Sequence, residues 1–147
     1  MMQVVHRKSH FTPASVCVEW EDVIHKISDG FKTDTCILID EGRLYKGSPT
    51  FVCRNNFYPG SIKKVFDSVK EYDNLHIYVS FSETSNCFGS HCDDVDVLIV
   101  QSVGEVSYEF ENSQIIRVKP GHSLFIPAGV YHKPIVHGPR ITLSFNK

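Results

Sequence analysis

The sequence lacks a long apolar run, and its N-terminus lacks the features of a secretory signal. No apolar stretch reaches the roughly 20 residues that a membrane-spanning helix needs. The N-terminal stretch MMQVVHRKSH has no apolar core of the kind that directs secretion. We therefore expect no membrane association, and we predict a cytoplasmic protein.

The sequence also lacks an excess of one charge and any Cys-x-x-Cys pair. Lys and Arg number 15 against 17 Asp and Glu, a formal net charge of −2. This balance gives no electrostatic signal for a nucleic-acid partner. The cysteines are odd in number and irregularly spaced, which favours free thiols in a reducing compartment over a disulfide framework or a thiolate zinc site. They are Cys17, Cys36, Cys53, Cys87 and Cys92.

The periodicity of apolar residues indicates a mainly β protein. Helical spacing occurs at 20–27 and at 61–69, where Ser61 is the expected N-cap. About eight short segments between turn residues read as strands, and most of them follow Leu75. We predict a single domain over 1–147, with a lead-in of helices and strands at 1–74 and a core barrel at 75–147. Two peripheral N-terminal helices would pack outside the barrel.

His91 and Asp93 stand one residue apart, just before the apolar segment Val97-Leu98-Ile99-Val100. Alternate residues of a strand face the same side, so both side chains would face one point. An imidazole and a carboxylate are two of the ligands in a 2-His-1-carboxylate iron site, and His132 is the candidate for the third. Taken alone, the pair also suits a structural role, with His91 at a helix cap or the surface and Asp93 in a turn.

The surrounding residues resemble a known superfamily. Gly121, Pro127, Gly129 and His132 have the spacing of the second cupin motif. GSHCDDVDVLIVQSVGEVSYEF is similar to the first metal-binding strand and hairpin of JmjC-like cupins of the cupin-8 type, including Asp96 and the Gln-x-x-Gly that closes the hairpin. GPRITLSF resembles the last barrel strand of that family, and the resemblance covers 75–145.

The resemblance implies a double-stranded β-helix, the cupin or jelly-roll barrel, with Fe(II) held by His91, Asp93 and His132 as the catalytic centre. Another divalent metal could occupy the site in isolated protein. Most such relatives are 2-oxoglutarate-dependent oxygenases that act as hydroxylases. We expect a small-molecule or peptide substrate, and cupin barrels often pair through their sheets, which makes a homodimer possible.

One position departs from the family pattern. Relatives commonly carry a lysine about fifteen positions after the first histidine, where it pairs with the far carboxylate of 2-oxoglutarate, and Val106 stands there instead. A buried dicarboxylate without a cation is costly. Arg140 is the best substitute, with Tyr78 and Thr142 as further co-substrate residues. The face of Arg140 either lines the pocket or is solvated, and Tyr78 either binds the carboxylate or packs in the core.

Two other functions stay open from the sequence. One is a metal-binding cupin with 2-oxoglutarate-independent chemistry, such as a dioxygenase, isomerase or lyase acting on a small acid or sugar. The other is a non-catalytic binding module, against which three converging ligands argue. Among the remaining side chains, we expect His122 and His137 at the surface, His76 at the surface or in the pocket, and Cys92 packed away from the metal.

Overall fold

The computed structural model of the chain describes residues 3–33, 36–39, 49–54, 57–85 and 87–147. The helices are α1 (Pro13–Val16), α2 (Trp20–Thr33) and α3 (Ile62–Ser68). The strands are β1 (Val5–Arg7), β2 (Cys36–Ile39), β3 (Thr50–Cys53), β4 (Asn74–Ser80), β5 (Val97–Val103), β6 (Val106–Phe110), β7 (Ile115–Val118), β8 (Ser123–Ile126), β9 (His132–Val136) and β10 (Arg140–Asn146). Within the described residues, no helix is long and apolar enough to cross a membrane.

The strands form two antiparallel sheets. The larger sheet has the order β1-β8-β5-β10-β4-β3-β2, and the smaller has the order β7-β6-β9. Strand β10 lies at the centre of the larger sheet and pairs with β4 on one side and β5 on the other. A mainly β chain folded into two antiparallel sheets matches the fold class that the sequence predicts.

Each face of the larger sheet has its own partner. Alternate apolar residues of β4, β5 and β10 pack in one core with residues of the helices, among them Val23 and Ile62. The opposite face of β5 contributes Val97 and Ile99 to a second core, which includes Val106 and Tyr108 of β6. Strand alternation thus separates a face covered by the helices from a face that looks into the barrel.

Both predicted helices are present, with differences at their ends. Helix α2 begins at Trp20 as predicted and runs beyond 27 to Thr33. It buries Val23 and Ile27, whereas Ile24 is exposed. Ser61 does precede α3, but its hydroxyl donates to the Ser15 carbonyl over 3.1 Å and makes no cap hydrogen bond. The four-residue helix α1 was not predicted.

All eight predicted strands are present, and two more join the larger sheet. Strand β1 pairs with β8, and β3 pairs with both β2 and β4. The part of the chain before Leu75 therefore extends the sheet that carries the barrel strands as well as supplying the helices. Neither extra strand has more than four residues, too few for a clear alternation of polar and apolar positions.

A tight hairpin joins β5 to β6 and brings the start of β10 close. Gly104 has φ +73°, a left-handed conformation that side chains other than glycine rarely adopt. A Cβ there would collide with the Pro139 carbonyl oxygen and press on Arg140. Glycine at this position therefore lets the backbone of Arg140 lie directly against the hairpin.

Candidate metal centre and anion-binding cavity

His91 and His132 are joined by their backbones. They form an isolated antiparallel bridge in which the His91 N–H donates to the His132 carbonyl (3.1 Å) and the His132 N–H donates to the His91 carbonyl (2.8 Å). The bridge places the two rings 4.5 Å apart between centroids. A residue that precedes β5 and the first residue of β9, far apart in sequence, are thus held side by side.

Asp93 reaches the same place from an irregular segment. The expectation of a continuous strand is wrong here, because β5 begins at Val97 and His91 and Asp93 lie before it. The segment is fixed by the turn before β9 instead. The Gly129 N–H donates to the Asp93 carbonyl (2.9 Å), and the Ala128 N–H donates to Oδ1 of Asp96 (2.9 Å). Gly129 has φ +81°, which suits glycine in this turn.

Three potential ligand atoms of these side chains converge. One donor atom from each of His91, Asp93 and His132 lies within 4.8 Å of the other two. Nε2 of His132 is 3.6 Å from Oδ2 of Asp93. Two imidazoles and one carboxylate around one point, with further positions left open, fit a divalent metal such as iron.

Hydrogen bonds set the tautomers that such a metal needs. Nδ1 of His91 lies 2.7 Å from the Gly89 carbonyl, and Nδ1 of His132 lies 3.0 Å from the Val130 carbonyl. A carbonyl only accepts, so both Nδ1 atoms carry the proton and both Nε2 atoms present a lone pair. Burial lowers the pKa of His132, which keeps the ring in the neutral form that binds metals.

The three donors line a cavity of about 440 Å³. Part of its wall comes from the inward faces of β4 and β10, including His76, Tyr78, Thr142 and Ser144. Apolar side chains and the phenol of Tyr108 line it as well. The predicted co-substrate residues and the predicted metal ligands therefore share one cavity.

Arg140 is buried, with 3% of its surface exposed, and it faces this cavity. The interpretation of a solvated face is wrong. Its Nε donates to the Ser80 hydroxyl and its Nη1 to the Thr142 hydroxyl, both over 2.9 Å. Nη2 lies 3.7 Å from Sγ of Cys87. Among the described residues no carboxylate pairs with Arg140, so its positive charge is hydrogen-bonded but not neutralised.

Gln101 fixes the Thr142 hydroxyl, which in turn holds Arg140. Thr142 donates to Oε1 of Gln101 over 2.9 Å, and this leaves its oxygen free to accept from Arg140. Gln101 is fully buried, and its amide nitrogen donates to the Val103 carbonyl over 2.9 Å. The glutamine is thereby oriented with its oxygen toward Thr142, and the guanidinium orientation is fixed from behind.

Two phenols in the cavity stay protonated. Burial and, to a lesser extent, the Asp93 carboxylate raise the pKa of Tyr78 to about 12, although the Arg140 cation counteracts part of the shift. Burial likewise raises the pKa of Tyr108. The Arg140 guanidinium lies over the Tyr78 ring, 5.7 Å from its centroid. Neither hydroxyl has a hydrogen-bond partner in the described part of the chain, so both can donate to a bound ligand.

Sequence reasoning missed several contributors to this cavity. Thr50, Cys87 and Tyr108 line the cavity without belonging to any motif. Ser80 contacts Arg140, and strand pairing sets it opposite both Arg140 and Thr50. Gln101 belongs to the Gln-x-x-Gly motif, but that motif did not predict its contact with Thr142. The alternation of β6 could have placed Tyr108 on the inward face with Val106. His76 does line the cavity.

The remaining sequence expectations concern side chains outside the cavity. His137 is exposed as expected. His122 is half-buried, and its Nδ1 lies 3.0 Å from Nε2 of His6. Cys92 does not line the cavity. The described cysteines other than Cys36 are free thiols, as expected.

No family model matches the sequence. A protein of Haemophilus influenzae named "Probable ribosomal oxygenase" is 27% identical over 109 residues, which covers 58% of this chain and 27% of that protein. The chain thus spans about a quarter of this relative's length.

Solved structures cover nearly the whole chain. The ribosomal oxygenase YcfD of Escherichia coli in complex with cobalt and 2-oxoglutarate gives a TM-score of 0.74 at 16% identity, over 98% of this chain and 47% of that one. Its complex with cobalt and succinic acid gives 0.72 at 16% identity, over 99% of this chain and 48% of that one. The chain therefore corresponds to about half of those structures. The comparison confirms the fold that the sequence predicts, and this chain has the cupin-type double-stranded β-helix fold of those structures.

Proposed function

We propose that this chain is a non-haem Fe(II)- and 2-oxoglutarate-dependent oxygenase of the JmjC-like cupin type. One observation carries the proposal: a single cavity contains a convergent His-Asp-His donor set and a buried arginine without a carboxylate partner among the described residues. A metal-chelating dicarboxylate needs these two elements together. The cobalt and 2-oxoglutarate complex of the structurally similar E. coli protein supports the pairing.

In this function, His91, Asp93 and His132 would hold the iron through both Nε2 atoms and one carboxylate oxygen. The bound iron would supply the oxygen activation on which 2-oxoglutarate-dependent hydroxylation depends. The protein's own residues orient and protect the site. The His91–His132 backbone bridge fixes the spacing of the two rings, and the Asp96 bond to the Ala128 N–H fixes the carboxylate segment.

Arg140 binds the far carboxylate of 2-oxoglutarate, and Tyr78 and Thr142 assist. The guanidinium is held in place by Ser80 and Thr142, so binding costs little reorganisation. Tyr78 keeps its proton far above neutral pH and donates to the same carboxylate. Thr142 acts mainly by positioning Arg140, since its own hydroxyl proton goes to Gln101.

The names of the relatives favour a polypeptide from the ribosome as the substrate, and a small molecule is the alternative. We also propose that 1–147 forms one domain, since β1, β2 and β3 complete the sheet that holds the barrel strands. The cytoplasmic location and the homodimer expected from the sequence stay predictions.

The test measures binding and turnover on the same protein. Manganese-loaded protein is titrated with 2-oxoglutarate in an anaerobic calorimeter, and iron-loaded protein is then assayed for succinate formation with ascorbate present. We expect saturable binding and metal-dependent succinate. Asp93→Ala protein is the control, because it lacks the only charged metal ligand and should do neither.

The results separate the candidate functions. Absence of detectable binding at millimolar 2-oxoglutarate would reject this co-substrate and favour a 2-oxoglutarate-independent cupin. If the protein retains no metal at all, the non-catalytic binding module is favoured.

A further inference from the structure

Cys87 lies in the wall between two recesses. It follows β4 in the connection to β5 and is half-buried. It lines the metal cavity, and it also lines a neighbouring surface groove together with Glu83, Lys133 and Val136. Cys87 therefore borders the groove as well as the metal cavity.

The thiol occupies one side of the Arg140 guanidinium. Sγ is 3.7 Å from Nη2 of Arg140 and 3.9 Å from Oγ1 of Thr50. The guanidinium donates its other two hydrogen bonds to Ser80 and Thr142. A carboxylate that binds Arg140 in a two-pronged manner needs the outer Nη2 atom, which is the atom beside the thiol. A larger group on Sγ would stand where that carboxylate has to lie.

A second side chain points independently to an anion at this place. Tyr108 is 3% exposed, lines the cavity, and has no hydrogen-bond partner for its hydroxyl among the described residues. A buried hydroxyl without a partner is costly, so a ligand oxygen is the expected acceptor. Tyr108 lines the same cavity as Arg140, Cys87 and Tyr78.

We propose that Cys87 is a modification site whose oxidation blocks anion binding at Arg140. The oxidant class is a hydroperoxide. The sulfur attacks one peroxide oxygen and forms an S–O bond while the O–O bond breaks, and the leaving oxygen takes up the thiol proton. Cysteine becomes a sulfenic acid as the hydroperoxide is reduced to an alcohol or water. This inference rests on the proposed function in that 2-oxoglutarate is taken as the natural anion.

The first experiment compares labelling rates of individual cysteines. Manganese-loaded protein is treated with iodoacetamide, with and without saturating 2-oxoglutarate, and the labelled peptides are quantified by mass spectrometry. We expect 2-oxoglutarate to slow labelling of Cys87 at least tenfold. Cys17 is the internal control, since it is an exposed thiol that does not line the cavity, and its rate should not change. Equal rates for Cys87 with and without the anion would overturn the proposal.

The second experiment tests the block itself. After hydrogen peroxide treatment and its removal, wild-type protein should bind 2-oxoglutarate at least tenfold more weakly in the calorimeter, and a thiol reductant should restore the affinity. Cys87→Ser protein should keep its affinity through the same treatment. If the serine variant loses affinity as the wild type does, another residue is the site and the proposal fails.

The two proposals can fail separately. If untreated protein does not bind 2-oxoglutarate, the proposed co-substrate is wrong, and the labelling experiment is repeated with sulfate as the probe for Arg140. Protection of Cys87 by sulfate would then support the modification site, and lack of protection would reject it.

Discussion

Replacing Arg140 with methionine separates the binding role of its charge from its packing. Methionine has a similar unbranched stem, so the apolar contacts of the arginine side chain are largely kept. The guanidinium and its positive charge are lost. Because Arg140 is buried in the cavity wall, its removal acts on the ligand site and leaves the protein surface unchanged.

The expected loss follows from the contacts of the guanidinium. A hydrogen bond to a charged group contributes about 1.5–3 kcal/mol. At about 1.4 kcal/mol per factor of ten, 2-oxoglutarate should bind roughly 10- to 150-fold more weakly. The ligand-free fold should lose little, because the Ser80 and Thr142 hydroxyls keep their bonds to Thr50 and Gln101. Removing a buried cation without a carboxylate partner also relieves a desolvation penalty.

The assay is anaerobic calorimetry on manganese-loaded protein, together with metal analysis and urea unfolding. Arg140→Lys should fall between the wild type and the methionine variant, because it keeps the charge and loses the planar fork. Arg117→Met is the matched control, since Arg117 pairs with Glu105 on the surface and should not affect 2-oxoglutarate affinity. Wild-type affinity in Arg140→Met, with metal content unchanged, would refute the assignment of the carboxylate to Arg140.

Three further predictions concern the metal centre and pH. Asp93→Asn should reduce retained metal after dialysis at least ~10-fold, because the only charged ligand is lost; equal metal content would contradict the donor set. Asp96→Ala should weaken metal affinity about 10- to 100-fold through the freed carboxylate segment, with the fold intact by circular dichroism. Burial lowers the pKa of five histidines in the folded protein, so below their ordinary pKa the unfolded chain binds more protons than the folded chain. The free energy of unfolding of the metal-free protein, measured with urea, should therefore fall from pH 7 to pH 5. An unchanged free energy of unfolding would refute this. The five are His6, His10, His76, His122 and His132.

The elements that the sequence predicts are those whose periodicity spans several residues. Strands β4 and β10 each extend over seven residues, long enough for side-chain alternation to indicate a strand. Helix α3 has its apolar positions at helical spacing, and it was predicted within one residue at each end. The end of α2 was placed too early, because the apolar pattern used for the prediction stops at Ile27.

Contacts between distant strands could not be read from local patterns. The position of Arg140 depends on the pairing of β10 with β4, which sets it opposite Ser80. The register of β10 against β5 also shifts between Ile141 and Thr142, an irregularity that the sequence of β10 alone does not predict. Likewise, the ligand geometry at Asp93 comes from hydrogen bonds to the turn before β9, whereas the prediction assumed a strand.

Valine at position 106, where the similar cupins commonly carry a lysine, does not rule out 2-oxoglutarate as the co-substrate. Val106 is fully buried between the sheets, where it pairs with Val118 and Val136. Arg140, on the central strand β10, is the only Lys or Arg among the described residues that lines the cavity. One cation is enough for one far carboxylate, and a second beside it would repel the first. In the proposed function, the far carboxylate would depend on this single arginine, which the hydroxyls of Ser80 and Thr142 hold in place.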